Sequence, residues 1–168
     1  MSQKIQLQEY DLSWPEKFQA EKKIINEVIG DFVCGSIEHV GSTSIPGLMA
    51  KPIIDIMVGV ESLSLSKPCI QLLEKDNYKY FPYKTNVMHW FCKPSDEFRT
   101  HHLHLIPYKS GLWQERIKFK NLLLNDNSVA KNYQSLKIEL AKKHENDREK
   151  YTQEKWPFIK EALLKNEH

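Results

Sequence analysis

One very apolar segment constrains the fold of this chain more than any other part of it. Residues 53–58 read Ile-Ile-Asp-Ile-Met-Val, which predicts a strand in the core of a sheet. Asp55 is the one polar residue of this strand, and a carboxylate there is costly unless it meets a cation or a hydrogen-bond donor. We therefore expect Asp55 to have a partner. A structural role, as a helix cap or as the partner of an arginine, is the alternative to a functional one.

A loop rich in glycine and hydroxyl groups precedes this strand. Residues 41–47 read Gly-Ser-Thr-Ser-Ile-Pro-Gly. Small residues let backbone N–H groups converge on an anion, so the loop is a candidate phosphate cradle. It lacks the Gly-Lys-Ser/Thr of a Walker A loop, and a tight surface turn is the alternative. The candidate phosphate-binding residues are Gly41, Ser42, Thr43, Ser44 and Lys51.

Three histidines lie close together in a later predicted strand. Residues 99–107 read Arg-Thr-His-His-Leu-His-Leu-Ile-Pro. Because side chains alternate along a strand, His102 and His104 share one face, whereas Arg99 and His101 share the other. Two imidazoles on one face can hold a divalent metal or contact a phosphate. One satisfied core histidine beside a partly exposed one is the alternative.

Basic residues after the sheet are weaker candidates. Arg116 and Lys120 are spaced i, i+4 on a predicted helix, where they form either an anion clamp or an ordinary solvated face. Lys155 is a further basic candidate near the end of the chain. Helix-surface charge is the commoner reason for such residues, so the loop, Asp55 and the histidines lead the site prediction.

The order of periodic segments predicts the fold class. Mixed helices and strands fill the first two thirds of the chain, and the last third, from Trp113, is helical with breaks near residues 125–128 and 156–157. This pattern predicts an α+β domain with a mixed sheet flanked by helices. We expect helices over 15–29 and 66–76, and strands over 36–40, 52–60, 78–81, 87–93 and 100–107.

Length and composition narrow the function classes. A chain of 168 residues is expected to form a single domain, over residues 1–168. The net charge of +2 gives no strong indication of nucleic-acid binding. The sequence contains no window of about 18 apolar residues, so we expect no membrane span. Cys34, Cys69 and Cys92 are odd in number and scattered, which favours reduced thiols and a cytoplasmic location. The oligomeric state stays open.

The motifs together resemble those of the GrpB family, also called UPF0157. The resemblance runs from about Pro15 to Ile159, and its most distinctive motif spans residues 38–48. Family members look like nucleotidyltransferases of the polymerase-beta type, which implies a small mixed sheet flanked by helices. The other matching segments are residues 51–55, 99–105, 133–137, 140–141 and 151–155.

The resemblance implies a metal-assisted nucleotide site. In that superfamily a Gly-Ser pair holds the triphosphate, and acids on the next strand and on a later one bind two magnesium ions. Gly41 and Ser42 match the pair and Asp55 matches the first acid, but Met57 occupies the second acidic position. Histidines replace the third acid. The resulting predictions are catalytic and metal-binding roles for Asp55, His102 and His104, with Mg, Mn or Zn as the metal, and phosphate binding by Lys51 and Arg99.

Three functional hypotheses follow. The first is a nucleotidyltransferase-like protein that acts on a nucleotide with a divalent metal. The second, motivated by Met57, is a non-catalytic module that binds a nucleotide or another phosphorylated ligand. Some relatives are fused to dephospho-CoA kinase, which links this module to coenzyme A metabolism. The third is an interaction module in which the C-terminal helices bind a partner.

Overall fold

A computed structural model describes residues 4–166, so residues 1–3 and 167–168 of the predicted domain lie outside the described residues. The strands are β1 (Val33–Val40), β2 (Ile54–Val60), β3 (Lys79–Phe81), β4 (His89–Pro94) and β5 (Arg99–Pro107). The helices are α1 (Trp14–Ile29), α2 (Pro68–Glu74), α3 (Gly111–Asn125), α4 (Asn127–Lys143) and α5 (Arg148–Lys165). The predicted α+β class, with a helical C-terminal part, is confirmed.

The strands form one mixed sheet with the order β1-β2-β5-β4-β3. Only β2 and β5 run parallel, and the other neighbours are antiparallel. In the β2–β5 register Asp55 lies beside His102 and Met57 lies beside His104. Because alternate side chains share a face, this register places all four side chains on the same side of the sheet.

The two faces of the sheet have different coverings. The first packs its apolar side chains, including Ile56 and Leu103, against α1 and α2 to form the main core. The second face carries a smaller core in which Met57 packs with Trp90 and Trp113. A third apolar cluster joins α3, α4 and α5 with Ile45 and Leu48 of the loop before β2. The C-terminal helices therefore close over the side of the sheet that carries Asp55.

Two local predictions are wrong. The register of β4 and β5 shifts between Lys93 and Pro94, and the guanidinium of Arg99 lies over the ring of Trp90, 5.0 Å from its centroid. Arg99 therefore reaches the face of His102 rather than that of His101. The predicted break near residues 156–157 is also absent, because α5 continues through Pro157.

No helix of residues 4–166 is long and apolar enough to cross a bilayer.

The helix ends near the C-terminus are set by capping side chains. The predicted break near residues 125–128 is confirmed, since the Asp126 carboxylate accepts from the backbone N–H groups of Ser128 and Val129 at the start of α4. The next break lies between α4 and α5, where Asp147 accepts from the backbone N–H of Lys150. Two carboxylate caps thus divide the helical third into the segments that surround the site.

Candidate functional site

A cavity of about 600 Å³ lies between the Asp55 face of the sheet and the helices α3, α4 and α5. Within the described residues, its lining includes eight lysines or arginines and four aspartates or glutamates. Asp55, His102 and His104 lie in its wall together with Lys51 and Arg99. The structure therefore brings most of the sequence-predicted residues to one enclosed and basic space.

The start of the glycine-rich loop is fitted closely to Asp55. Gly41 has φ of +73° and ψ of −176°, a combination that is essentially restricted to glycine. A Cβ atom at Gly41 would lie 2.6 Å from Asp55 Oδ2. The chain then makes a 3₁₀ turn over Ser42–Ser44. Glycine is needed here because the backbone must pass directly against the carboxylate.

The hydroxyl groups of the loop have different roles. Thr43 is buried, and its hydroxyl donates to the carbonyl of Ile53 at 3.1 Å while lying 2.9 Å from His39 Nε2. The Ser44 hydroxyl donates to the Gly41 carbonyl at 2.6 Å, and Ser44 does not line the cavity. Gly41, Ser42 and Thr43 do line it. Ser42 is thus the loop hydroxyl that is best placed to meet a ligand.

Two histidines of the neighbouring parallel strand hold Asp55. Its Oδ1 lies 3.3 Å from His102 Nδ1 and 3.3 Å from His104 Nε2. Arg116 Nη1 donates to His104 Nδ1 at 3.2 Å. Because a guanidinium can only donate, Nδ1 carries the lone pair and the His104 proton lies on Nε2, which donates to Asp55. Arg116 therefore fixes the tautomer of His104.

The pKa shifts agree with a charged Asp55 between neutral imidazoles. Burial opposes ionisation of Asp55, but the hydrogen bonds from His102 and His104 hold its pKa well below the usual range. Burial, together with Arg116, lowers the pKa of His104 to about 4. Burial also lowers the pKa of His102. The carboxylate is thus ionised while each ring donates one N–H to it.

His102 has one ring nitrogen left over. Its Nδ1–H donates to Asp55, so Nε2 carries the lone pair, and this atom is buried with no hydrogen-bond partner in the described part of the chain. The ring lies 5.1 Å from that of Trp90, centroid to centroid, and lines the cavity. A carboxylate that orients an imidazole by one nitrogen and leaves the other without a partner is an arrangement that general bases use.

The same contacts bear on the predicted metal site. Among residues 4–166, no three His, Cys, Asp or Glu side chains are grouped so that they could hold a metal ion. Both ring nitrogens of His104 are engaged, and one of them meets the cationic Arg116. If Asp55, His102 and His104 bound a metal, the hydrogen bonds of His104 with Asp55 and with Arg116 would both be lost. The donor set does not fit a resident metal, and metal binding here stays a prediction.

Basic side chains from three parts of the chain also line the cavity. Lys51 Nζ lies 5.0 Å from the centroid of the Tyr151 ring. Arg99 forms an ion pair with Asp96 as well as its contact with Trp90. On α3, Arg116 contacts His104, and Lys120 donates to the carbonyl of His39 at 2.7 Å. The solvated-face interpretation of Arg116 and Lys120 is therefore wrong.

The sequence reasoning missed three basic residues of the cavity, Lys84, Lys137 and Arg148, of which Lys137 is the most deeply buried. Lys137 is only 1% exposed, and its Nζ donates to Ser42 Oγ at 2.8 Å and to the Met49 carbonyl at 2.5 Å. A signal was present in the sequence, because Lys137 follows Tyr133 by four residues on the apolar stripe of α4. A lysine on the buried face of an amphipathic helix is unusual enough to mark a site.

Comparisons with known proteins give one consistent family. The family model described as GrpB protein matches residues 4–165. The chain is 38% identical to the glutamate-rich protein GrpB of Alkalihalophilus pseudofirmus, over 90% of this chain and 89% of that protein. It is 32% identical to the UPF0157 protein YqkA of Bacillus subtilis, over 95% of this chain but only 46% of that protein.

A solved structure shares the fold. The crystal structure of conserved protein GrpB from Enterococcus faecalis superposes with a TM-score of 0.84 at 30% sequence identity. The match covers 97% of this chain and 100% of that one. The sheet and the helices that enclose the cavity therefore belong to a fold that a related protein also has.

Proposed function

The chain belongs to the GrpB family, and from that premise we propose that it binds a phosphorylated small molecule, with a nucleotide as the first candidate. The observation that carries the proposal is the charge of the cavity, in which eight lysines or arginines face four acidic residues. Enclosed positive charge of this kind attracts a ligand that carries several negative charges. The cavity volume of about 600 Å³ suits a ligand of nucleotide size.

The lining suggests how such a ligand would lie. Ser42, Lys51 and Arg99 are positioned at the cavity wall to meet phosphate oxygens. Trp90 and Trp156 also line the cavity and offer aromatic surface to a base. Polar and basic groups for the phosphates and aromatic groups for the base would make the site selective for a nucleotide over a bare anion. Coenzyme A, which combines both features, is a further candidate.

Nucleotidyl transfer, with a fold of the polymerase-beta type, is the second proposal for this site. It is supported by the Asp55–His102 pair, whose unpartnered Nε2 could accept the proton of an attacking hydroxyl as that oxygen bonds to the α-phosphorus of a nucleoside triphosphate, the α–β phosphoanhydride bond breaks and pyrophosphate leaves. Met57 argues against a two-metal mechanism, because it is fully buried in apolar contacts where a second carboxylate would be needed. Ligand binding without catalysis is the alternative.

Thermal unfolding with added ligand tests the binding proposal. ATP, GTP, CTP, UTP and coenzyme A are each added with Mg²⁺, Mn²⁺, Zn²⁺ or EDTA. A ligand present at a hundred times its Kd stabilises the folded state by about 2.7 kcal/mol, which for a domain of this size raises Tm by about 5–10 °C. No shift with any of these ligands would contradict nucleotide binding.

Two variants separate binding from chemistry. Asp55→Asn removes the charge that orients His102 but keeps the side-chain volume. Glu139→Gln, on the exposed face of α4, is the matched control. If the site is catalytic, release of pyrophosphate from the best nucleotide is lost in Asp55→Asn and kept in the control. A shift in Tm without turnover in the unmodified protein supports the binding module, and dependence of that shift on a metal supports a metal-bound ligand.

A further inference from the structure

Three lysine side chains from separate segments line the same cavity, close enough that their charges influence one another. Lys51 precedes β2, Lys137 lies on α4 and Lys155 lies on α5. The Nζ atoms of Lys51 and Lys155 lie 5.0 and 4.6 Å from the centroid of the same Tyr151 ring. The Nζ atom of Lys137 lies 5.1 Å from the Tyr133 ring. All three side chains line the cavity.

These lysines lack the partners that buried lysines usually have. Across residues 4–166, none of the three has a carboxylate oxygen within 4.0 Å. Lys137 has only neutral acceptors, the Ser42 hydroxyl and the Met49 carbonyl. Asp55 is the acid that attracts Lys51 and Lys155, but it is already held by its two histidines. Buried charges of one sign without a counter-charge are costly unless a ligand supplies it.

We propose that Lys51, Lys137 and Lys155 form a subsite for a terminal phosphate, the doubly charged group of a phosphate monoester or of a diphosphate end. The inference rests on the proposed function and adds the class of group that these three lysines take. Three ammonium groups match a dianion, whose oxygens can each accept a charge-assisted hydrogen bond. A phosphodiester has one charge and two blocked oxygens, so it would leave part of the subsite unpaired.

Binding of a dianion at these lysines should be coupled to an uptake of protons that can be measured. Burial, followed by repulsion from neighbouring cations, lowers the pKa of Lys137 to about 7. Burial lowers the pKa of Lys155 to about 7 and that of Lys51 to about 8. A bound dianion favours the charged amines and raises these pKa values, so binding at pH 8 takes up protons. The other charged groups that face the three amines are Asp55, Arg99 and Arg148.

Calorimetric titration at pH 8 in two buffers of different ionisation enthalpy measures this uptake. The probes are pyrophosphate, AMP and 3′,5′-cyclic AMP, which carries the same base and sugar but only a diester. We expect AMP to bind with uptake of about one to two protons, and to bind about ten times or more tighter than cyclic AMP. Inorganic pyrophosphate should show the same uptake without the base.

The variants are Lys137→Met and Lys155→Met, with Lys131→Met on the exposed face of α4 as the matched control. Each of the first two should weaken AMP binding about tenfold or more and reduce the proton uptake, whereas the control should change neither. If Lys137→Met fails to fold, Lys155→Met still tests the subsite, because Lys155 is less buried and its replacement should disturb the fold less.

The outcomes distinguish this inference from the proposed function. Equal affinity for AMP and cyclic AMP, or binding without proton uptake, would overturn the subsite and leave nucleotide binding intact. Binding of pyrophosphate with uptake, but of neither AMP nor cyclic AMP, would support the subsite and overturn binding of adenine mononucleotides. If none of the three probes binds, the subsite is overturned, and the thermal-unfolding screen with the other nucleotides and coenzyme A decides whether the proposed function stands.

Discussion

Replacing Gly41 with alanine tests how the glycine-rich loop and Asp55 depend on each other. Gly41 has φ of +73° and ψ of −176°, and its missing Cβ would lie 2.6 Å from Asp55 Oδ2 and 3.0 Å from Asp55 Cβ. The first distance is shorter than real Cβ contacts and the second is tighter than most of them, so the carboxylate must move. Gly47, with φ of +82° and no atom within 4 Å of its built Cβ, provides a comparison with backbone strain alone.

The expected cost has two parts. The backbone conformation of Gly41 costs about 1–3 kcal/mol for any other residue. Moving the carboxylate weakens its hydrogen bonds with His102 and His104, and a hydrogen bond to a charged group is worth about 1.5–3 kcal/mol. We therefore expect Gly41→Ala to lower the free energy of unfolding by about 3–5 kcal/mol, and Tm by about 6–20 °C. Gly47→Ala should cost about 1 kcal/mol.

A double-mutant cycle isolates the contact part. Urea unfolding followed by circular dichroism gives the free energy of unfolding for the unmodified protein, Gly41→Ala, Asp55→Ala and the double variant. If the methyl group acts by displacing the carboxylate, Gly41→Ala costs about 1.5–3 kcal/mol less once Asp55 is alanine. A coupling below about 0.5 kcal/mol would refute the reasoning, since it is the level expected of independent sites.

Three further predictions concern buried polar groups. Thr43→Val should lower the free energy of unfolding by about 1–3 kcal/mol in urea titrations, because it leaves buried His39 without its hydroxyl partner. Tyr78→Phe removes the 2.6 Å hydrogen bond from its hydroxyl to the buried carboxylate of Glu21, and should cost about 1.5–3 kcal/mol in the same assay. Burial lowers the folded-state pKa of His39 and His104 to about 4 from the usual 6.5, so the unfolded chain binds more protons between these values. The urea midpoint should therefore fall as pH is lowered from 6.5 to 4, and a flat profile would contradict the neutral, buried state of both rings.

The sheet and its apolar strands could be predicted because their signals are local. The run of residues 53–58 predicted β2, and the alternation of residues 99–107 predicted β5 and the shared face of His102 and His104. The continuation of α5 through Pro157 could not be predicted from a local signal. Proline weakens a helix locally, but Phe158 and Ile159 pack against the cluster of α3 and α4 and keep α5 continuous.

The site was predicted only in part, because some of its features have local signals in the sequence and others depend on long-range contacts. Alternation within one strand predicts which of its side chains share a face. The pairing of β2 with β5 is a long-range contact that has no local signal in the sequence. That pairing places His102 beside Asp55 and leaves Met57 beside His104. Lys137 escaped prediction because its partners, Ser42 and Met49, are 95 and 88 residues away in the chain. Its position on an apolar helix stripe was the only local sign.

The positions of Met57 and the three lysines suggest how charge could be handled at this site. A polymerase-beta type site neutralises phosphate charge with metal ions, which need a second acid two residues after the first. Here that position is an apolar core residue, and Asp55 Oδ1 accepts from two imidazoles. Preorganised ammonium groups can stabilise the same phosphate charge without a metal, provided that they are held in a site that excludes water. If Lys51, Lys137 and Lys155 take that part, phosphate affinity should persist in EDTA and weaken as pH rises above about 7, where the amines of the free protein lose their protons.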